Sequence, residues 1–361
     1  MNIKAVSGLM AVLAVLSGLS CAPPAKVMSG THSLPDGLYA ELHTNKGNIV
    51  LRLEFEKTPM TVANFVGLAE GNIINKALPL GTPYFNGSIF HRVVAGHVIQ
   101  AGKPAGTNLE GPGYEIPNEI NQGLGHGRAG MLGMANSGPH TADSQFYITL
   151  GDRSYLDGDY TVFGEVASGL DVVQKIVQGD VVERVAIRRV GSKAQVFKSD
   201  DASFRRLVDI AKARVAKQDK EKKRREAGLI RKRWPQALPI KPGLLSIVLK
   251  QGTGELPQPG ATLTAGYRGE FLDGRQFVSM PDGKPGFGRI PHLFPFIIGV
   301  TSINPGIDSV LGIMKKGEKR LLIVSPEQGY GSSGFYAKSE PGKKRFVISP
   351  NTTLIYEIEV K

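Results

Sequence analysis

The stretch Phe90-His91-Arg92-Val93-Val94-Ala95-Gly96-His97-Val98-Ile99-Gln100-Ala101-Gly102 decides the reading of the first half of the chain. It lies within residues 81–191, where short apolar runs are separated by Gly, Pro and Asn/Asp turns, the pattern of a closed or nearly closed β barrel. Upstream, residues 44–56 alternate as a half-buried strand with Ile49, Leu51, Leu53 and Phe55 on one face. Residues 61–70 read as a short helix with Val62, Phe65, Val66 and Leu68 inward. Composition agrees: 45 Gly and 23 Pro among 361 residues, without a collagen period, favour turn-rich β structure. At roughly 100–200 residues per domain, the length implies two domains or more.

Six segments extend this reading in order. They are Phe90-His91-Arg92-Val93-Val94, Gln100-Ala101-Gly102, Gly111-Pro112-Gly113-Tyr114, Met134-Ala135-Asn136-Ser137-Gly138-Pro139, Asp143-Ser144-Gln145-Phe146-Tyr147, and Leu156-Asp157-Gly158 with Val162-Phe163-Gly164. Together they resemble the cyclophilin family over residues 37–195. The resemblance implies an eight-stranded barrel with two helices and peptidyl-prolyl isomerase activity.

Turning an X-Pro bond means breaking amide resonance, a step that uncatalysed takes on the order of tens of seconds or more. It needs no nucleophile, metal or cofactor, and none is expected here; it needs a dry pocket for the ring and one cation. By the resemblance, Arg92 approaches the prolyl carbonyl and nitrogen, Gln100 holds Arg92 and touches substrate, and the backbone of Asn136 pairs with the extended peptide. Val98, Tyr147 and Leu156 line the proline pocket, and Phe90, His97, Ala135, Gln145, Tyr155 and Tyr160 complete the expected substrate-binding set. The chain departs from the family where it has His97-Val98 for Phe-Met, Tyr147 for Phe, Tyr155 for the Trp of drug-sensitive members and Tyr160 for His. Altered peptide preference and weakened cyclosporin binding are therefore expected. His91 reads as a packed core histidine and His97 as a pocket-wall substitution. Residues 72–84 read as a surface insertion.

Residues 199–240 form a basic connector. Phe204, Leu207, Val208, Ala211 and Val215 recur at helical spacing, and residues 217–233 are almost all charged. One helix of about 30 residues is expected, entered through Asp200-Asp201 and broken by Trp234-Pro235. Its first half suits docking on a domain. Its second half, with Lys222-Lys223-Arg224-Arg225 and Arg231-Lys232-Arg233, suits either a solvated spacer or a surface for anionic lipid headgroups or acidic clients.

Beyond it, residues 244–250, 262–271, 319–325 and 353–360 read as strands and 308–314 as a short helix. Gly266-Tyr267-Arg268-Gly269, Asp273-Gly274-Arg275-Gln276-Phe277, Phe296-Ile297-Ile298-Gly299, Pro305-Gly306-Ile307-Asp308, Ser325-Pro326-Glu327 and Leu354-Ile355-Tyr356-Glu357-Ile358 resemble an FKBP-type domain over residues 241–361. That implies a twisted antiparallel sheet wrapped around one helix. Its pocket would comprise Tyr267, Phe277, Phe294 or Phe296, Ile303, Ile307, Tyr330, Val347, Ile348 and Tyr356, with the Asn304 backbone amide facing the substrate carbonyl. Val278 replaces the family's usual Asp and Ile307 its pocket-floor Trp, so weakened macrolide binding is expected, and the second domain's activity is left open. The insertion at residues 281–295 is placed to cover this pocket.

The N-terminus adds a location. Lys4 precedes an apolar run over residues 5–19, the form of an export signal too short to span a bilayer comfortably. The only cysteine, Cys21, follows at once, so residues 1–21 resemble a bacterial lipoprotein signal, with cleavage after Ala22 as the alternative. One cysteine also excludes an internal disulfide. Of the net charge of +12, residues 203–234 supply a surplus of nine, with 13 basic and 4 acidic side chains. The export signal, and the lack of aromatic residues interleaved among these cations, argue against a nucleic-acid partner. The expectation is a mainly β, two-domain isomerase of exported or envelope proteins, lipid-anchored on the periplasmic or surface side. The competing expectation is a non-catalytic chaperone or adhesin that holds clients through its proline pockets and basic linker.

Overall fold

A computed structural model describes residues 34–278, 296–299, 304–337 and 345–361. The signal segment with Cys21, the pocket residues Phe294 and Ile303, and the insertion at 281–295 lie outside the described residues, as do the side chains of Val278 and Val347.

The first domain is built on nine strands: β1 (Gly37–Thr44), β2 (Gly47–Leu53), β3 (Ser88–Ile89), β4 (Arg92–Val94), β5 (Val98–Ala101), β6 (Met131–Met134), β7 (Phe146–Thr149), β8 (Val162–Ser168) and β9 (Val181–Val190). They form one antiparallel sheet in the order β3-β9-β1-β2-β8-β6-β7-β5-β4. The two edge strands, β3 and β4, are separated in sequence only by Phe90 and His91. Two residues of extended chain span about 7 Å, so the ends of the sheet must curl toward each other into a barrel. The same break raises the strand count from the expected eight to nine. The run at 44–56 is shorter than expected: β1 turns at Asn45-Lys46 into β2, and Phe55 lies beyond the strand, partly buried against the core.

Helix α1 (Pro59–Glu70) is buried on nearly every side, Met60 to Ala69 without exception, so it fills the barrel mouth rather than riding on its surface. It has no side-chain N-cap of its own. The Glu119 carboxylate accepts instead from Met60 N (3.2 Å), Thr61 N (2.9 Å) and Thr61 Oγ1 (2.9 Å), satisfying donors that the first turn leaves open. Phe65 on α1 meets Phe85, Phe146 and Phe163 at ring separations of 5.0, 5.4 and 5.5 Å, the centre of this core. Short helices α2 (Leu170–Lys175) and α3 (Ser192–Val196) flank β9 in sequence.

Helix α4 (Asp201–Arg233) is the connector, about 50 Å long at 1.5 Å per residue. Asp200 caps it by accepting from Ser203 N at 2.9 Å, and Trp234 ends it. Phe204, Val208 and Ala211 enter the first core. The loop at 72–84 is more than a surface insertion, because it grips the helix start: Ile74 N donates to Asp201 Oδ1, and Arg205 Nη2 donates to Ile74 O. The charged second half is docked too. Lys222 Nζ donates to Asn351 O (2.9 Å), Glu226 accepts from Thr353 Oγ1 (2.7 Å), and Trp234 packs with Ile247, Ile323 and Ile355 on the outer face of the second sheet. The spacer reading therefore holds only for the helix face turned away from that sheet. Substituting Asp200 by Ala removes the cap, which is expected to cost about 1 kcal/mol and to raise amide exchange of the first turn of α4 in hydrogen-exchange measurements.

The second domain carries β10 (Leu238–Lys241), β11 (Leu244–Lys250), β12 (Thr262–Leu263), β13 (Ala265–Phe271), β14 (Gln276–Val278), β15 (Phe296–Ile297), β16 (Lys319–Val324), β17 (Phe335–Ala337), β18 (Arg345–Ile348) and β19 (Leu354–Val360). Six of them form an antiparallel sheet in the order β10-β11-β16-β19-β13-β14. The sheet begins inside the stretch read as linker, because Leu238 pairs with Ser246. Helix α5 (Pro305–Leu311) buries Ile307, Val310 and Leu311 in the core that also holds Tyr267, Phe277 and Tyr356. It starts three residues before the expected 308 because Asn304 caps it and Pro305 occupies its first position, a favoured helix start.

Candidate active site

Strand register assembles the site. In the β4–β5 hairpin Arg92 faces Gln100, β5 against β7 sets Gln100 opposite Tyr147, and β7 against β6 sets Tyr147 opposite Gly133. Four strands thus bring four residues into one row on one face of the sheet. Gly133 is required there, since a Cβ at that position would collide with the Tyr147 ring.

The row opens into a cleft of about 410 Å³. Arg92, Gln100 and Asn136, the three expected catalytic positions, all line it. So do His97, Val98 and Ala135, and the ring side of the cleft is made by Tyr147, Tyr155, Leu156 and Tyr160. Ser137 also lines it and was not foreseen. Two expected residues stand elsewhere. Phe90 is fully buried in the barrel core, where the two-residue link between β3 and β4 turns it inward. Gln145 stands behind Gln100 and outside the cleft lining.

Hydrogen bonds orient the polar groups. Arg92 Nη1 donates to Gln100 Oε1 at 3.3 Å, Gln100 Nε2 donates to Gln145 Oε1 at 3.1 Å, and Gln145 Nε2 donates to Glu110 O at 3.1 Å. This relay of amides fixes which Gln100 atom faces the guanidinium. The Asn136 side chain is committed to its own surroundings, donating to Asp159 O and accepting from Gly138 N, which fits the expected use of its backbone. His97 belongs to the cleft wall: its Nδ1 accepts from Arg153 Nε at 2.9 Å and its ring lies parallel to Tyr155 at 6.3 Å. His91 lies outside the cleft, and burial first, then the Lys103 ammonium, hold it below its ordinary value. Tyr147, 4% exposed, is pushed well above the usual phenol range by burial.

Sequence reasoning missed His126, which lies beneath the floor and bonds both Asp157 and Tyr147 at 2.7 Å. It sits between Gly125 and Gly127 in no recognisable spacing, and its partners are 21 and 31 residues away, so only the fold reveals it.

In the second domain Tyr267, Phe277, Phe296, Ile307, Ile348 and Tyr356 are all at most 2% exposed, and Tyr330 is half-buried. Tyr356 meets Phe277 edge-on at 5.6 Å and Tyr267 at 6.1 Å. The Asn304 side chain is itself part of this centre. Its Oδ1 accepts from Ile307 N at 3.0 Å, and its Nδ2 donates to Tyr356 Oη at 3.1 Å. Among the described residues no group of three His, Cys, Asp or Glu could hold a metal ion, and no helix is long and apolar enough to cross a membrane.

A guanidinium beside a ring-lined apolar cleft is the equipment for rotating a prolyl bond, and comparison with known proteins places the chain in that class. Residues 39–192 match the model of the cyclophilin type peptidyl-prolyl cis-trans isomerases, and residues 253–361 that of the FKBP-type peptidyl-prolyl cis-trans isomerases. A peptidyl-prolyl cis-trans isomerase of Helicobacter pylori is 42% identical over 149 residues, 41% of this chain and 85% of that protein. A probable peptidyl-prolyl cis-trans isomerase A of Mycobacterium leprae is 44% identical over 140 residues, 38% of this chain and 77% of that protein. A solved cyclophilin-type isomerase of Cryptosporidium parvum aligns with 42% of this chain and 98% of its own, at 26% identity and a TM-score of 0.37.

The protein is a peptidyl-prolyl cis-trans isomerase. It belongs to the cyclophilin-type family and carries an FKBP-type domain after the cyclophilin-type one.

Proposed function

We propose that the cleft around Arg92 is where X-Pro bonds are turned, and that the substrates are exported polypeptides met at a membrane to which Cys21 tethers the chain. The observation that carries the first part is the row Arg92, Gln100, Tyr147 across three adjacent strands. As the C–N bond twists, the nitrogen lone pair leaves conjugation and becomes an acceptor. An N–H donor already aimed at that nitrogen stabilises the twisted state more than either planar one. Gln100 holds Arg92 in that aim, Gln145 holds Gln100, and Tyr147 with Leu156 keeps water from the ring. Adding an Ala-Pro peptide to the isotope-labelled chain is expected to shift the amide signals of Arg92, Asn136 and Tyr147. Shifts confined to residues 241–361 would refute this assignment.

The second domain is proposed to bind proline more than to turn it. The buried Asn304 amide on the Tyr356 hydroxyl sets a polar bond among rings whose chemistry otherwise depends on apolar desolvation.

The membrane setting rests on the apolar N-terminal run that ends at Cys21 and on the cations of α4. Arg224, Arg225, Arg231 and Lys232 are exposed, while Lys222 is bound to the second domain. That face suits anionic headgroups. Cys21→Ala is expected to move the protein from the membrane fraction to the soluble one. Binding of the Cys21→Ala chain to vesicles containing phosphatidylglycerol is expected to fall at least tenfold between 50 and 300 mM salt, roughly the behaviour of several screened surface charges. Salt-independent binding would exclude the basic face as the contact.

A further inference from the structure

The floor of the cleft hangs on one buried imidazole. His126 has no exposed surface. Its Nδ1 is 2.7 Å from Asp157 Oδ1, and its Nε2 is 2.7 Å from Tyr147 Oη. Its backbone N donates to the same Asp157 oxygen at 2.8 Å, and its carbonyl accepts from Arg153 N at 2.7 Å. The imidazole and the Tyr147 ring are nearly parallel, 18° apart with centroids at 5.9 Å.

Chemistry assigns the protons. An ionised carboxylate only accepts, so Nδ1 carries the imidazole proton and Nε2 presents a lone pair. The Tyr147 hydroxyl therefore donates to Nε2. Burial holds His126 below its ordinary value, against the opposing pull of Asp157, so this neutral form is the one present at pH 7.

We propose that His126 is a positioning residue for prolyl isomerisation, which ties the Tyr147 floor to the Leu156-Asp157 wall and so holds the proline pocket at its working shape. Floor and wall come from separate elements: Tyr147 from β7, and Leu156 from the turn Ser154–Leu156 that Asp157 ends. The imidazole joins them, backed by the backbone bonds of His126 to Asp157 and Arg153. Without His126 the Tyr147 hydroxyl loses its acceptor at a site that is 4% exposed, and its remaining outlet is the cleft, where it competes with the apolar prolyl ring for space and draws in water.

The same arrangement makes the pocket proton-sensitive. A second proton on His126 turns Nε2 into a donor, so Tyr147 Oη must accept and its own hydrogen must leave for the cleft. The groups facing the imidazole are Asp157 from the turn and Tyr147 from β7, with Tyr160 beyond Tyr147 at 6.0 Å. Arg153 offers only its backbone, since its side chain goes to His97, and Arg128 on the same segment is paired with Glu165. Asp157 is the one charge in direct contact, and it remains bonded in both states. The proton's effect is therefore delivered to Tyr147.

The test is a double-mutant cycle on the full chain, with the activity left in Arg92→Ala subtracted as the contribution of the second domain. His126→Leu is expected to lower kcat/KM toward an Ala-Pro peptide about tenfold, the size of one buried hydrogen bond, mainly through KM. In a Tyr147→Phe background the same substitution is expected to change kcat/KM less than about twofold, because there is no hydroxyl left to hold. His126→Gln, which keeps a donor and an acceptor, is expected to recover part of the loss. Equal losses in both backgrounds would overturn the proposal. If His126→Leu does not fold by circular dichroism, the pH profile decides. The parent chain should lose kcat/KM in acid with a midpoint below 6.5, and Tyr147→Phe should lack that limb; a limb that persists in Tyr147→Phe overturns the proposal. The inference rests on the cleft being the isomerase site. Activity indifferent to Arg92→Ala would remove that foundation, whereas equal losses in the cycle remove only the role of His126.

Discussion

Arg92→Ala is expected to lower the first domain's kcat/KM by about 10²- to 10³-fold, the usual loss when one preorganised donor is taken from a developing charge. The barrier to rotation about a peptide bond is about 18–20 kcal/mol, and it falls only if the twisted state gains what the planar states do not. Arg92 can supply that difference because it is already aimed: Gln100 Oε1 accepts from its Nη1, Gln145 Oε1 accepts from Gln100 Nε2, and the Glu110 carbonyl holds Gln145 in turn. Binding should change much less than turnover, because Val98, Tyr147 and Leu156 remain to hold the ring. Arg92→Lys should fall between the two, since an ammonium keeps the charge but not the forked donors. A protease-coupled assay on an Ala-Pro peptide measures all three chains, and what remains in Arg92→Ala reports the second domain.

The largest stability effect is expected from Phe65→Ala, about 3–5 kcal/mol. Phe65 is 1% exposed and its ring touches Phe85, Phe146 and Phe163, so truncation leaves a void that three neighbouring rings cannot fill without leaving their own contacts. For a domain of this size that is a fall of roughly 10 °C in the midpoint of unfolding. The chain supplies its own control. Its one tryptophan, Trp234, lies on the outer face of the second sheet with Ile247, Ile323 and Ile355. Calorimetry should show the first domain's transition moving down while the Trp234 fluorescence transition stays. Equal movement of both would mean that the domains unfold as one unit through α4.

Much of this molecule can be read from its sequence because its chemistry is local. Arg92 and Gln100 are eight residues apart in one hairpin, and Ala135-Asn136 and Tyr155-Leu156 are contiguous pairs, so short motifs carry the cleft. Phe90 shows the limit of that reasoning, since belonging to the same motif as Arg92 does not turn a side chain to the same face. His126 shows another: a triad assembled from residues 126, 147 and 157 has no spacing to recognise until β7 and the 154–156 turn are folded around it. The docking of α4 was hidden differently. Lys222, Glu226 and Ile230 are four residues apart, the spacing of a buried face, but two of the three are charged and contact the second domain through polar ends and aliphatic stems. In the second domain the start of α5 follows from Asn304-Pro305, a capping signal that the apolar pattern at 308–314 outweighed.

Catalysis by this chain is proposed to reside in the Arg92 cleft. Exchange NMR of an Ala-Pro peptide with the full chain measures cis–trans interconversion directly, without a coupling protease. Rapid exchange is expected with the parent protein, a loss of about 10²-fold or more in the first domain's share with Arg92→Ala, and little change with Tyr356→Phe, which removes the hydroxyl bonded to Asn304. Exchange that is untouched by Arg92→Ala and abolished by Tyr356→Phe would contradict it, and would place the turning of the bond in the second domain.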